Sequence, residues 1–245
     1  MPRVHLFVPC YVDQFAPEVA RATVAVLERA GCEVVIPTGQ TCCGQPAFNA
    51  GYHDEARTAA RNWLRAFDGA ETIVTPSGSC AAMVRSFFPG LLGSVDTAGA
   101  RTFELAEYLV DHLGIDDLGA SWDGDVTWHD GCHGLRELGI EAAPRRLLAR
   151  VKGLRLVEMD ESRACCGFGG LFAVKYPEIS TAMADVKRLS ALRTGAPTVV
   201  TGDVSCLLHL RGRSSHEHDG LRYLHLAEIL ASCGGRPSFA WSGHR

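Results

Sequence analysis

Ten cysteines occur in this 245-residue chain, and eight of them are spaced as two copies of one pattern. Cys42-Cys43-Gly44 and Cys165-Cys166-Gly167 each set two adjacent thiols before a glycine. Cys10 precedes Cys42 by 32 positions, and Cys132 precedes Cys165 by 33. Cys80 follows Cys43 by 37, and Cys206 follows Cys166 by 40. Neighbouring residues project their side chains in different directions, so two adjacent thiolates chelate a single tetrahedral ion poorly. Structural zinc sites usually separate paired cysteines by roughly two to four residues for that reason. A multi-iron cluster accepts neighbours more readily, because each thiolate can reach a different iron or bridge two. Four thiolates per half also match the ligand count of one iron–sulfur cluster. Two other readings stay open: zinc in at least one half, or no metal, with buried thiols or vicinal disulfides.

Other residues near these thiols could take part. His129 and His133 flank Cys132, with Asp130 between them. They read as catalytic candidates or as donors and proton relays beside the centre, against plain loop hydrogen bonding. Arg136 and Lys175 could neutralise cluster charge or bind an anion, against simple solvated positions. Cys32 and Cys233 fall outside the repeat and read as small packed or surface thiols. No G-x-G-x-x-G opens a helix, no Gly-Lys-Ser/Thr follows Gly169-Gly170, and no hydrolytic triad stands out.

The elements that must position these residues alternate between strand and helix. In the first half the apolar run Val4 to Val8, then Glu33 to Ile36 and Thr72 to Thr75, read as strands. Pro17 to Ala30, His53 to Phe67, Cys80 to Phe88 and Phe103 to Leu113 read as helices. In the second half Val126 to His129, Arg155 to Met159 and Thr198 to Thr201 are the expected strands. Ala143 to Val151, Pro177 to Arg193 and Leu224 to Ala231 are the expected helices, the second with proline at its start. Corresponding positions are offset by 122 (Cys10 to Cys132), 123 (Cys42 to Cys165), 126 (Cys80 to Cys206) and 121 (Leu105 to Leu226). A tandem duplication accounts for this, with a first domain of 1–122 and a second of 123–245. Alternation of strand and helix predicts an α/β fold with parallel sheets. All eight repeated cysteines are then expected in loops just after strands, at the carboxyl edge where ligand sites form.

Bulk composition excludes several functions. Hydrophobic residues make up 47% and charged residues 21%, as in an ordinary globular protein. A net charge of -4 with no basic block argues against a nucleic-acid or anionic-membrane partner. The apolar run near Met1 is too short for a membrane span and lacks the layout of a signal peptide. The expected location is the cytoplasm, where many cysteines point to metal or redox chemistry rather than disulfides.

At these residues the chain resembles the cysteine-rich CCG-domain proteins, a group of iron–sulfur oxidoreductase components. That group includes the CCG-bearing component of heterodisulfide reductase and the iron–sulfur component of glycolate oxidase. Within it the chain is most similar to the lactate utilization protein A family. The resemblance is carried by Cys42-Cys43-Gly44-Gln45-Pro46-Ala47-Phe48-Asn49-Ala50-Gly51, Pro76-Ser77-Gly78-Ser79-Cys80, His129-Asp130-Gly131-Cys132-His133, Cys165-Cys166-Gly167-Phe168-Gly169-Gly170 and Asp203-Val204-Ser205-Cys206-Leu207. It implies two tandem Rossmann-like CCG repeats related by a pseudo-twofold axis. It further implies a subunit of a cytoplasmic three-component system oxidising L-lactate to pyruvate. The partners would be a ferredoxin-like iron–sulfur subunit and a third small subunit, and the substrate a small 2-hydroxy acid. Other readings are a glycolate or other 2-hydroxy-acid oxidase subunit, a disulfide reductase, or a non-redox scaffold stabilised by zinc or a cluster. In heterodisulfide reductase relatives each half ends in Cys-x-x-Cys, whereas here Ser77 and Asp203 stand where the first of that pair would be. Either could supply an oxygen ligand. The departure favours an ordinary [4Fe–4S] cluster, one or two per chain with zinc possible in one half, over a five-thiolate centre.

Overall fold

The computed structural model describes residues 1–93 and 98–233. The chain forms two four-stranded sheets, every pairing within them parallel. The first contains β1 (Arg3–Leu6), β2 (Glu33–Val35), β3 (Ile73–Thr75) and β4 (Thr102–Glu104), in the order β2-β1-β3-β4. The second contains β5 (Ser121–His129), β6 (Lys152–Leu156), β7 (Thr198–Thr201) and β8 (Arg222–His225), in the order β6-β5-β7-β8. The two orders are the same arrangement, so the repeat in the cysteines is a repeat in topology. β3 and β7 are buried at every position, as expected of strands covered on both faces.

The fourth strand of each sheet was not expected. Three residues in β4 and four in β8 are too short to show alternation. Both run directly into a helix, and the expected helices from Phe103 and from Leu224 took in these strands. The switch is local: Glu104 with Glu107, and His225 with Glu228, form reciprocal capping boxes that start a helix one residue past the strand. β6 also begins three residues before its expected position.

The placement of the cysteines in loops holds only for Cys42, Cys43, Cys165 and Cys166. Cys10 and Cys132 are the first residues of helices Cys10–Phe15 and Cys132–Leu138. Cys80 lies in helix Gly78–Ala82 and Cys206 in helix Val204–Glu217. For Cys80 and Cys206 the reason is capping: Ser77 accepts from Cys80 N, and Asp203 accepts from Ser205 N, so each helix begins within three residues of its strand.

The halves share one core. Val4, Leu6 and Val26 from the first pack in the same buried cluster as Val126, Trp128, Leu147 and Leu226 from the second. Helix Pro17–Arg29 lies against helix Leu226–Ala231. Its Arg29 guanidinium donates to the carbonyls of Leu230 (3.0 Å) and Ala231 (3.3 Å) at that helix end. On the other side helix Gly78–Ala82 meets helix Cys132–Leu138 so closely that a Cβ at Gly78 would stand 2.9 Å from Gly134 Cα. Glycine is required there to bring Cys80 and Cys132 to one place.

Candidate metal centre

Each quartet of thiols comes together, and the two quartets face each other. In the first half Cys10 Sγ lies 3.6 Å from Cys42 Sγ, and Cys43 Sγ lies 3.5 Å from Cys80 Sγ. In the second, Cys132 and Cys165 are 3.9 Å apart, and Cys166 and Cys206 are 3.2 Å apart. All eight line one cavity of about 280 Å³. None of the ten cysteines is in a disulfide.

The adjacent pairs are shaped by the glycine that follows. Gly44 (φ +83°) and Gly167 (φ +89°) adopt a backbone conformation that L-residues avoid. A Cβ at Gly44 would meet Ala56 O at 3.1 Å, and one at Gly167 would meet Ser180 O at 2.6 Å. The turn points each glycine N–H at the first thiol of its pair, with Gly44 N to Cys42 Sγ at 3.3 Å and Gly167 N to Cys165 Sγ at 3.4 Å.

These contacts separate the thiols electrostatically. The hydrogen bond from Cys10, then that from Cys43, holds Cys42 far below the usual thiol range, at about 3, with Gly44 assisting and burial opposing. Cys165 is lowered in the same way by Cys132, then Cys166. Their partners move the other way. Cys10 and Cys132 are pushed up first by the hydrogen bond with the neighbouring thiol, Cys42 or Cys165, and then by burial. Cys43 and Cys166 are raised by the bonds to Cys42 and Cys165 and to Cys80 and Cys206. One thiol held low in each half, beside partners held high, is a donor set that a metal completes by displacing protons. The residues therefore fit a thiolate-bound metal or iron–sulfur group.

The candidate histidines part company. His133 lines the cavity, its Nδ1 3.7 Å from Cys132 Sγ and its ring edge-on to Phe87. His129 is fully buried behind the second quartet. Asp130 is tied away from the thiols by Trp128 Nε1 (2.7 Å) and a two-pronged bond to Arg145, at 2.9 Å to each oxygen. Arg136 and Lys175 are exposed and do not line the cavity. Cys32 packs in the shared core, and Cys233 is exposed beside Arg29. Ser77 and Asp203 do border the cavity, but their oxygens are engaged as helix caps.

Two features of the site were missed in the sequence. Tyr11 and Phe168 stack edge-to-face at 5.6 Å, joining the residue after Cys10 to the loop after Cys166. Lys187 lies buried near the second quartet. The signal for Tyr11 was its adjacency to Cys10. Lys187 gave none, because its helix Pro177–Arg193 buries polar residues such as Ser180, Arg188 and Ser190 and exposes apolar ones, so charge in the sequence does not mark the outer face.

The family model described as "Cysteine-rich domain" (CCG) matches residues 4–85 and 126–211, so each match encloses one quartet. Lactate utilization protein A of Exiguobacterium sp. is 44% identical over 239 residues, covering 94% of this chain and 97% of that one. The proteins of that name from Geobacillus kaustophilus and Bacillus subtilis are 45% and 40% identical, each over at least 93% of this chain and 98% of the relative. The chain belongs to the lactate utilization protein A family. A crystal structure of a hypothetical protein from Helicobacter pylori matches with a TM-score of 0.66 at 13% identity, over 93% of this chain and 48% of that one. At that identity the likeness shows the fold alone. The CCG domains and the clustered cysteines fit metal or iron–sulfur binding. No helix among the described residues is long and apolar enough to cross a membrane.

Proposed function

We propose that the chain is the cluster-bearing oxidoreductase subunit of a cytoplasmic system that oxidises L-lactate to pyruvate. Two units, 1–122 and 123–245, each supply one set of ligands. Cys10, Cys42, Cys43 and Cys80 hold one group, and Cys132, Cys165, Cys166 and Cys206 hold another, each read as a [4Fe–4S] cluster. The observation that carries this reading is the convergence of two thiol quartets on one cavity of about 280 Å³. When bound, such groups supply reversible one-electron storage. The protein's part is to hold the thiolates at fixed spacing, to stabilise their charge through Gly44 and Gly167 N–H groups, and to keep the centre against an apolar wall.

Among the described residues the lining of this cavity includes no lysine or arginine, and its one carboxylate is Asp203. A 2-hydroxy acid therefore meets no fixed cation for its carboxylate here. This favours a chain that relays electrons while another subunit, paired with a ferredoxin-like iron–sulfur subunit, engages the acid. The test is spectroscopic. Anaerobically loaded protein mixed with both partner subunits should lose visible absorption on addition of L-lactate but not without the partners. Bleaching by glycolate in place of lactate would move the assignment to another 2-hydroxy acid, and no bleaching with either would overturn it.

A further inference from the structure

The two quartets are built alike, but the walls behind them are not. The residue three before Cys10 is Phe7, and the residue three before Cys132 is His129. The helices over the two glycine turns also correspond. A Cβ at Gly44 would meet Ala56 and Ala59, and one at Gly167 would meet Ser180 and Met183, an offset of 124 in both cases. The same offset carries Trp63 onto Lys187. In the first half Phe7 and Trp63 are both fully buried and pack edge-to-face at 5.6 Å, a purely aromatic backing. In the second half a buried imidazole and a buried ammonium replace them.

His129 is the unusual member. It is 0% exposed, and neither ring nitrogen has a hydrogen-bond partner. A buried polar group left unpaired costs about 1–3 kcal/mol, so the position demands an explanation. A ring nitrogen of His129 and the sulfurs of Cys166 and Cys206 all lie within 4.8 Å of one another. The Ser162 carbonyl stands beside the ring, short of hydrogen-bond geometry. Imidazoles that ligate metals are commonly oriented by such a carbonyl.

We propose that the metal centre of the second half takes a ring nitrogen of His129 as a ligand beside Cys166 and Cys206. The two halves then hold chemically different centres, all-thiolate in the first and mixed sulfur–nitrogen in the second. This rests on the reading of the quartets as metal ligands. Buried and without a hydrogen-bond partner, the ring has a nitrogen lone pair to offer a metal. Lys187 is itself fixed by the carbonyls of Glu161 and Ser162 (2.9 Å to the latter), which places a positive charge behind this centre alone. Both features favour the reduced state, because a neutral nitrogen donor and a nearby positive charge each stabilise an added electron.

The test uses the full chain, anaerobically reconstituted with iron and sulfide, with histidine labelled with nitrogen-15. Pulsed electron paramagnetic resonance of the reduced sample should show a directly coordinated histidine nitrogen. That coupling should be lost in His129→Phe, a change to the residue the first half already uses at this place. Wild-type protein that carries iron but shows no such coupling overturns the proposal, as does a coupling that survives in His129→Phe. Because the wild-type spectrum decides by itself, failure of the variant to fold leaves the test intact. If the loaded metal is zinc, the imidazole shell in X-ray absorption at the zinc edge is read the same way. Protein that takes up no metal in either half overturns the proposed function together with this inference, whereas metal without imidazole overturns only the inference.

Discussion

Ser77 Oγ donates to Asp203 Oδ2 at 3.1 Å, joining the positions that correspond across the duplication. Asp203 collects three more donors, from Ser79 N (3.0 Å), Ser205 N (3.1 Å) and Ser205 Oγ (2.6 Å). Ser77 meanwhile caps the helix that carries Cys80. The positions where related proteins would place a fifth thiol are thus used as helix caps and as a tie between halves. Removing a cap costs about 0.5–2 kcal/mol, and Asp203→Ala also strands Ser79 N. Asp203→Ala should lower stability by about 2–3 kcal/mol, and Ser77→Ala by about 1 kcal/mol, measured by denaturant unfolding. Metal content per folded chain should not change in either variant. A loss of metal in folded Ser77→Ala would make the serine a ligand instead.

The close approach of Gly78 and Gly134 sets the spacing between the halves. Gly78→Ala forces a methyl into a 2.9 Å gap against backbone, which cannot yield as a side chain can. Overpacking of this kind costs about 1–3 kcal/mol. Helices Gly78–Ala82 and Cys132–Leu138 carry Cys80 and Cys132, one thiol of each quartet, so metal uptake should fall in both halves. Gly212→Ala is the contrasting case. Gly212 sits in helix Val204–Glu217 with open space around it, and the change should stabilise by about 0.5–1 kcal/mol without altering metal uptake.

His225 ties the halves through a proton. Its Nδ1 accepts from Ala227 N, so its Nε2–H donates to Pro76 O at 3.1 Å. Burial lowers its pKa from 6.5 to about 4. The unfolded chain takes up a proton below 6.5 while the folded one does not, so this contribution is complete above that pH. It is lost as pH falls toward 4, by about 3 kcal/mol. Glu104 and Glu228, raised by burial to about 8 and about 7, act in the opposite sense over the same range. The His225 share is therefore read as wild type minus His225→Asn, a variant that keeps a capping side chain and does not titrate. The variant should show the shallower fall in unfolding free energy between pH 6.5 and 4, and equal slopes would contradict the assignment.

Much of this was legible in the sequence, and the reasons for the rest are specific. The cysteine spacing alone revealed the duplication, because ligands to one group must keep their distances. β3, β7 and the end of β5 (Val126–His129) are short runs of β-branched and other buried residues that need both faces covered. β4 and β8 were hidden because three or four residues running into a capping box look like the start of a helix. Helix Val204–Glu217 was missed because its polar positions, Ser205, His209 and Arg211 among them, break the apolar period. Of the inequivalence of the two backings, Phe7 against His129 stands in the sequence three residues before Cys10 and Cys132, whereas Trp63 and Lys187 align only once the glycine contacts are known.

The eight repeated cysteines should behave as ligands and the other two should not. Cys166→Ala should lose the second half's iron and keep the first's, and Cys233→Ala should match wild type, both by metal analysis of folded protein. An unchanged iron content in Cys166→Ala would remove that residue from the ligand set.

The most direct measurement is iron and acid-labile sulfide per chain after strictly anaerobic purification, with electron paramagnetic resonance on the reduced sample. The account predicts iron near a multiple of four with matching sulfide, and a signal that appears on reduction. Zinc alone, with no iron taken up even on anaerobic reconstitution, would contradict it, because zinc stores no electron.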